Sequence, residues 1–465
     1  MKRHRGAVAL ALTLAACVPA KREAPAQARI SVPDAWREPD VATGEVDAQW
    51  WKAFNDPALI KLVDAALAHN TDLLVSSARV EQARAQLGIA SSARWPSLNA
   101  AIGAQRTRTL GDLGESIGSA IQPQLSAAWE LDLWGRLAKL ERAAQLQYAA
   151  THAERDAAAL SLAAQTASAY LTLVSLDTQL LVTRKTVESR QRALDLFTDR
   201  ARVGYTSQLE LSQAQSEFEA VQQAVPQIEF AIRRQENAIR LLTGDLPGPI
   251  ERGLPLIEIQ PPEIPAVLPS TLLRRRPDLV QAELALAAAD TTLAARRADF
   301  LPSVSLSASV GRLYVDALDY DPVQVWSIGG SVLAPIFNAG RIRSQFDAAT
   351  AQRDQAAFAY RGVTLRAFGE VENALAGVDS YRAQIERLHN RREILGRSLT
   401  LAHDRFRAGY SSYLEELDAQ RNLYNTELSA ISVRESQLLN LVNLYRVLGG
   451  GWSAPTTAPP PPTEP

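Results

Sequence analysis

Residues 302–311 read PSVSLSASVG, with Val304, Leu306, Ala308 and Val310 alternating with Ser303, Ser305, Ser307 and Ser309. A period of two puts the aliphatic set on one face of a β-strand and the serines on the other. A second Pro-marked start, WPSL at 95–98, opens a similar run earlier in the chain. Each run leads into turn-rich sequence, TLGDLGESIG at 109–118 and DALDYDPV at 316–323, and then a returning run over 120–133 or 324–337. Two hairpins are predicted, and Pro123 weakens the start of the first returning strand because proline cannot donate to a ladder.

After Gly135 and Gly340 the period changes. Residues 136–202 and 341–407 contain no proline and are dominated by alanine, leucine, glutamine and arginine, which are helix formers. At 1.5 Å per residue each would form a helix about 100 Å long. Helices of that length are stable packed side by side, as in a coiled coil. Residues 206–243 and 411–448 would run back along them for about 57 Å. Helix-like segments at 58–93 and 278–299, ahead of the hairpins, can cover the remaining length.

The chain is written twice. RVGYTSQLELSQAQ at 202–215 returns as RAGYSSYLEELDAQ at 407–420, with eight of fourteen positions identical, among them Gly204/Gly409, Tyr205/Tyr410 and Leu209/Leu414. Gly135-Arg136 maps onto Gly340-Arg341 at the same offset of 205, and upstream the offset is 206, with TDLL (71–74) over PDLV (277–280). Chance explains shared alanines, but glycines and prolines kept in register mark an internal duplication. The organisation read from this is a leader at 1–16, an extended segment at 17–57, a first repeat at 58–250, a linker at 251–277, a second repeat at 278–450 and a Pro-rich tail at 451–465. Gly204 and Gly409 fall where the chain reverses between helices and a positive φ is needed. In LRRRPDL at 273–279, Pro277 opens a helix with Asp278 in its first turn.

The formal net charge of −2 over 465 residues gives no reason to expect nucleic acid as a partner. After the N-terminus no run of about 18 apolar residues is available as a membrane-spanning helix. MKRHRG followed by AVALALTLAA reads as an export signal. It ends in LAAC, whose Cys17 is the only cysteine of the chain, so no internal disulfide can form. LTLAAC resembles a bacterial lipobox, which implies cleavage before Cys17 and a covalent lipid on that residue, the sole cofactor-like group expected. Val18 stands where an aspartate would signal inner-membrane retention, so the resemblance points to the outer membrane.

The four expected strands are about 10–14 residues long, enough for the roughly 9–11 that a bilayer-crossing β-strand needs. Trp95, Trp129, Trp134 and Trp326 fall in or beside them, as an aromatic girdle requires. Four strands cannot close a barrel, and an open edge cannot stand in lipid, so several chains must pool theirs. The alternative for the strands is a small soluble sheet with the tryptophans in its core, and the alternative for the whole chain is a lipid-anchored periplasmic coiled-coil spacer or adaptor. No nucleophile elbow, phosphate-binding loop, dinucleotide fingerprint or HExxH motif occurs, and the five histidines are scattered. Neither an enzyme nor a metal site is expected. Asp316, Asp319 and Asp321 read as an ordinary turn, with cation selection at an outer mouth as the alternative.

QWWKAFNDPAL (49–59), LPSTLLRRRPDLVQAE (268–283), YLEELDAQRNLYNTE (413–427) and VNLYRVLGGGW (442–452) together resemble the TolC-type outer-membrane efflux proteins, in the lipoprotein subgroup of NodT- and OprM-like channels. The resemblance covers the mature chain. It implies a mostly α fold with two β-hairpins per chain. Three chains would build a 12-stranded outer-membrane β-barrel on a trimeric periplasmic α-barrel. It further implies a passive exit duct that docks onto a periplasmic adaptor (membrane fusion) protein and an inner-membrane pump of the RND type. The adaptor would contact the helix tips around Gly204, Tyr205, Gly409 and Tyr410. The family closes its periplasmic entrance with an acidic position in the segment that reads LDAQR here. That implies a gate of Leu414 and Asp418, with Arg421 tethering neighbouring helices through ion pairs.

Overall fold

The computed structural model describes residues 19–20, 23–37, 46–111, 114–262, 269–315 and 322–453. Cys17, Asp316, Asp319, Asp321 and most of the Pro-rich tail lie outside the described residues. The elements run α1 (Pro57–His69), α2 (Thr71–Ser92), β1 (Ser97–Gly111), β2 (Gly114–Leu131), α3 (Arg136–Arg202) and α4 (Gln208–Leu242) in the first half. The second half runs α5 (Pro269–Arg275), α6 (Pro277–Ala298), β3 (Ser303–Val315), β4 (Val323–Leu333), α7 (Arg341–Arg407) and α8 (Tyr413–Val447). The fold is mostly helical, with two hairpins and two equivalent halves.

Helices α3 and α7 are each unbroken for 67 residues, about 100 Å. Helix α3 is the central one: it packs against α1, α2, α4, α6 and α8, while α7 packs against α6 and α8. One 18-residue window within α3 is long and apolar enough on composition to cross a bilayer, contrary to the expectation that no such stretch follows the N-terminus. Half of that window is buried, which is how the core helix of a helical slab behaves.

The expected helix 58–93 is two helices, because Asn70 interrupts it. The Asn70 side-chain oxygen accepts from the Asp72 and Leu73 amides and so caps α2. Its amide nitrogen donates to the Leu242 carbonyl at the end of α4, 3.0 Å away. The second half has the same joint: Arg276, which precedes α6, donates to the Val447 carbonyl at the end of α8, 3.2 Å away. Short helices therefore stack end to end, α4 onto α2 and α8 onto α6, as two composite columns beside α3 and α7. Arg276 is buried and also pairs with Asp278 at 2.7 Å and Glu370 at 2.9 Å. Pro277 opens α6 with Asp278 in its first turn, as read from the sequence.

In the QWWKAFNDPAL segment Trp50, Trp51, Phe54, Asp56, Ala58 and Leu59 are buried. Trp50 stacks on Tyr445 with ring centroids 5.5 Å apart. Asp56, fully buried, caps α1 through the Ala58 and Leu59 amides. Its second oxygen accepts from the Tyr170 hydroxyl and the Leu254 amide, both at 2.9 Å. The Tyr170 hydroxyl accepts in turn from the Gly253 amide, and burial pushes its pKa well above the ordinary tyrosine value. A Cβ on Gly253 would lie 2.1 Å from Asp56 Oδ1, so this close approach requires glycine.

The sheet is antiparallel throughout, in the order β1-β2-β3-β4. β1 and β2 extend through most of the sequence expected as a loop at 109–118. Pro123 is accommodated inside β2, where the ladder to β3 lapses between the pairs Ile121↔Tyr314 and Gln124↔Gly311. β4 stops at Leu333, short of the expected 337, two residues before Pro335.

Candidate functional site

Three places carry the candidate functional residues: the sheet, the helix tips and the N-terminal strap. Paired residues share a face, and the register Leu98↔Ala127↔Ala308↔Ile328 assigns one face of the sheet. Leu98, Ile102, Ile121, Leu125, Trp129, Leu306, Val310, Trp326, Ile328 and Val332 occupy it. These side chains are open, Ile102 at 77% and Ile328 at 80% exposure. The other face carries Asn99, Gln105, Gln122, Gln124, Ser126, Ser305, Ser307, Ser309, Ser327 and Ser331, with Ser309 and Ser327 hydroxyls 2.8 Å apart. Trp95, Trp129 and Trp134 gather where the sheet meets the helices: Trp129 Nε1 donates to the Arg94 carbonyl and Trp134 Nε1 to that of Pro302. Trp326 stands apart from them, opposite Val310.

At the far end both long helices close in the same way. Gly204 has φ +79° and Gly409 φ +77°. The Tyr205 amide bonds the Arg200 carbonyl and the Gly204 amide that of Ala201; Tyr410–Arg405 and Gly409–Phe406 repeat the pattern. These are the paired bonds of a helix end that turns through a left-handed residue. Tyr205 and Tyr410 project at 84% and 80% exposure. Behind them Phe197, Phe406 and Tyr413 pack as a trio, the closest pair at 4.2 Å. Copy one carries Gln208 where copy two has Tyr413.

Leu414, Asp418 and Arg421 follow one another at spacings of four and three on α8, and so share a face. All three are exposed, Leu414 at 54%. Asp418 accepts from Asn422 at 3.0 Å. Arg421 pairs with Glu217 of α4 rather than with Asp418, and the hydrogen bond to Glu217 raises the Arg421 pKa above its ordinary value. Just behind this face lies a polar layer that sequence reasoning missed. Buried Arg190 donates to Gln420, whose amide donates to buried Glu416, and Glu416 lies 2.9 Å from His403. The offset of 205 holds a signal for part of it. Ser216 and Glu217 correspond to Arg421 and Asn422, so this is where the copies differ in charge. Among the described residues no cluster of His, Cys, Asp or Glu could hold a metal.

The N-terminal segment is strapped along α6 and α7 by arginines that donate to its carbonyls. Arg297 reaches Pro19, Arg353 reaches Glu23 and Arg361 reaches Gln27, while the Arg37 amide donates to Glu372. Trp36 packs on Phe368 at 5.7 Å. The segment thus starts near the sheet end of α6 and runs away from the sheet.

A sequence model of the family described as "Outer membrane efflux protein" matches residues 62–245 and 268–450. The chain is 32% identical over 461 residues to the pyoverdine export outer membrane protein OpmQ of Pseudomonas aeruginosa, covering 96% of each. It is 33% identical over 421 residues to the probable efflux pump outer membrane protein TtgC of Pseudomonas putida, covering 89% of this chain and 87% of that protein. Among solved structures, the CmeC outer membrane channel of Campylobacter jejuni superimposes with a TM-score of 0.85 at 25% identity, over 95% of this chain and 96% of that one.

Proposed function

The chain belongs to the outer membrane efflux protein family, whose members are non-enzymatic transport proteins, and is an outer-membrane efflux channel; from that premise we propose a lipid-anchored trimeric exit duct with a periplasmic gate. One observation carries this reading. β1 and β4 are open edges of a four-stranded sheet whose apolar face is exposed. Such a sheet is untenable alone in lipid, because its edge amides and carbonyls would go unbonded. Pairing β4 of one copy with β1 of the next gives twelve strands from three chains, with the apolar face outward and the serine- and glutamine-rich face lining the bore. The exposed Phe358, Leu365, Ile394 and Leu401 of α7 and the exposed Leu74, Val75, Ile89 and Phe230 of α2 and α4 support the same join along the helices.

The anchor fits the strap. Arg297 holds Pro19 at the sheet end of α6, and two residues of chain span at most about 7 Å. An acylated Cys17 would therefore lie close to the level of the inner leaflet. Trp95, Trp129 and Trp134 would mark the inner interface of the membrane. The tips, about 100 Å away along α3, would meet a periplasmic adaptor at Gly204, Tyr205, Gly409 and Tyr410, with an inner-membrane pump of the RND class beyond it. Leu414 and Asp418 would narrow the entrance, three copies of each around the axis, while the Arg421–Glu217 pair holds α8 in the closed position. The relatives named for pyoverdine export and efflux support small-molecule cargo.

The strand join is testable in intact cells. A photo-crosslinking residue at Asn99 on the edge strand β1 should give a covalent dimer whose junction maps to residues 323–333 of a second copy. Junctions confined to one chain would contradict the proposed barrel.

A further inference from the structure

The apolar face of the sheet ends in arginines at equivalent positions of the two halves. Leu98 opens that face on β1 and Val304 opens it on β3, and these residues are related by the offset of 206. Eight residues further along each strand, on the same face by the period of two, stand Arg106 and Arg312. Both are exposed. Arg106 is opposite Ser119 and diagonal to Ile117 and Ile121. Arg312 is opposite Gln324, diagonal to Trp326 on β4, and flanked on β2 by Ile121 and Leu125. No carboxylate is among these neighbours.

On the barrel reading, on which this inference rests, the face is turned to lipid. Eight residues span about 27 Å of strand. With strands tilted by about 40° that is about 20 Å of depth, close to the height of an apolar band. An arginine on a lipid-facing strand is tolerated best near the interface and least at the midplane. Both arginines therefore sit where the band ends, on the hairpin side, which faces away from the helices and hence toward the outer leaflet. Trp326, diagonal to Arg312, adds the aromatic expected at that boundary. An unpaired guanidinium at an interface recognises phosphate through its planar fork, and basic side chains at a membrane surface attract anionic headgroups.

We propose that Arg106 and Arg312 form a belt, six arginines in the trimer, that binds phosphate-bearing headgroups of outer-leaflet lipids. Duplication places the six at near-sixfold intervals, so the belt surrounds the barrel evenly.

The test is native mass spectrometry of detergent-purified protein mixed with lipid A or with zwitterionic phosphatidylcholine. Wild-type trimers should keep lipid A adducts in preference to phosphatidylcholine, and millimolar inorganic phosphate should not displace them. The Arg106→Gln/Arg312→Gln protein should stay trimeric and lose lipid A retention by about tenfold, while Arg106→Lys/Arg312→Lys keeps most of it. If the double glutamine variant fails to assemble, Arg312→Gln alone should roughly halve retention. Trimers of the glutamine variants that retain lipid A as the wild type does overturn the belt and leave the barrel standing. Displacement by inorganic phosphate also overturns it, pointing to a free-ion site. Spectra holding monomers only overturn the barrel reading and the belt with it.

Discussion

Arg421 on α8 is ion-paired to Glu217 on α4, across 204 residues of sequence and between the two halves of the duplication. Both partners replace an uncharged counterpart in the other half, since Ser216 corresponds to Arg421 and Asn422 to Glu217. The pair ties together two helices that otherwise meet through α3, and it lies one turn from Asp418. Glu217 is buried and Arg421 about half exposed, so the coupling is on the order of 1 kcal/mol.

That tie sets an expectation for the gate proposed at Leu414 and Asp418. Asp418→Ala combined with Arg421→Ser should raise single-channel conductance in planar bilayers several-fold and weaken cation preference, because the proposed trimer would lose a ring of three carboxylates. Glu217→Gln, which leaves Asp418 in place, should raise conductance while keeping cation preference. Unchanged conductance and selectivity in assembled double-variant trimers would assign Asp418 to an ordinary helix surface.

The long helices were legible because absence of proline is an unambiguous signal: α3 and α7 start and stop at Arg136, Arg202, Arg341 and Arg407, each bounded by a glycine turn. Strand faces were legible from the serine alternation at 303–309. The break at Asn70 was not, since an asparagine between helical stretches declares itself a cap only once the Leu242 carbonyl is beside it. The partner of Arg421 was equally hidden. Helical spacing offers Asp418, whereas Glu217 comes near only through the packing of α4 and α8 on α3. The strap of arginines on the N-terminal carbonyls leaves no periodic trace, because carbonyls are common to every residue.

Tyr170→Phe should destabilise the protein by about 1–3 kcal/mol, because it leaves buried Asp56 and the Gly253 amide each one hydrogen bond short. The readout is a lower midpoint for loss of helical circular dichroism in detergent. Gly253→Ala should be worse, since its Cβ would overlap Asp56. A midpoint unchanged in both variants would show that this network does not hold the N-terminal segment to the linker.

Cys17→Ser should abolish incorporation of radioactive palmitate and release part of the protein from the outer-membrane fraction. A wild-type protein that takes up no label contradicts the anchor.

The tips separate turn-making from contact. Tyr205→Ala with Tyr410→Ala removes two exposed rings and leaves the glycine turns and the Phe197–Phe406–Tyr413 trio in place. Assembly should be unaffected, while cross-linking to a periplasmic adaptor falls by more than half. Full cross-linking in this variant would place the adaptor elsewhere.

The central claim is that no single chain makes the channel, because its sheet has two open edges and its apolar face has no cover. Light scattering of the purified protein in mild detergent, corrected for bound detergent, measures this directly. The account predicts three chains per particle at every dilution at which the protein still conducts in bilayers. A monodisperse single-chain particle that conducts would contradict it.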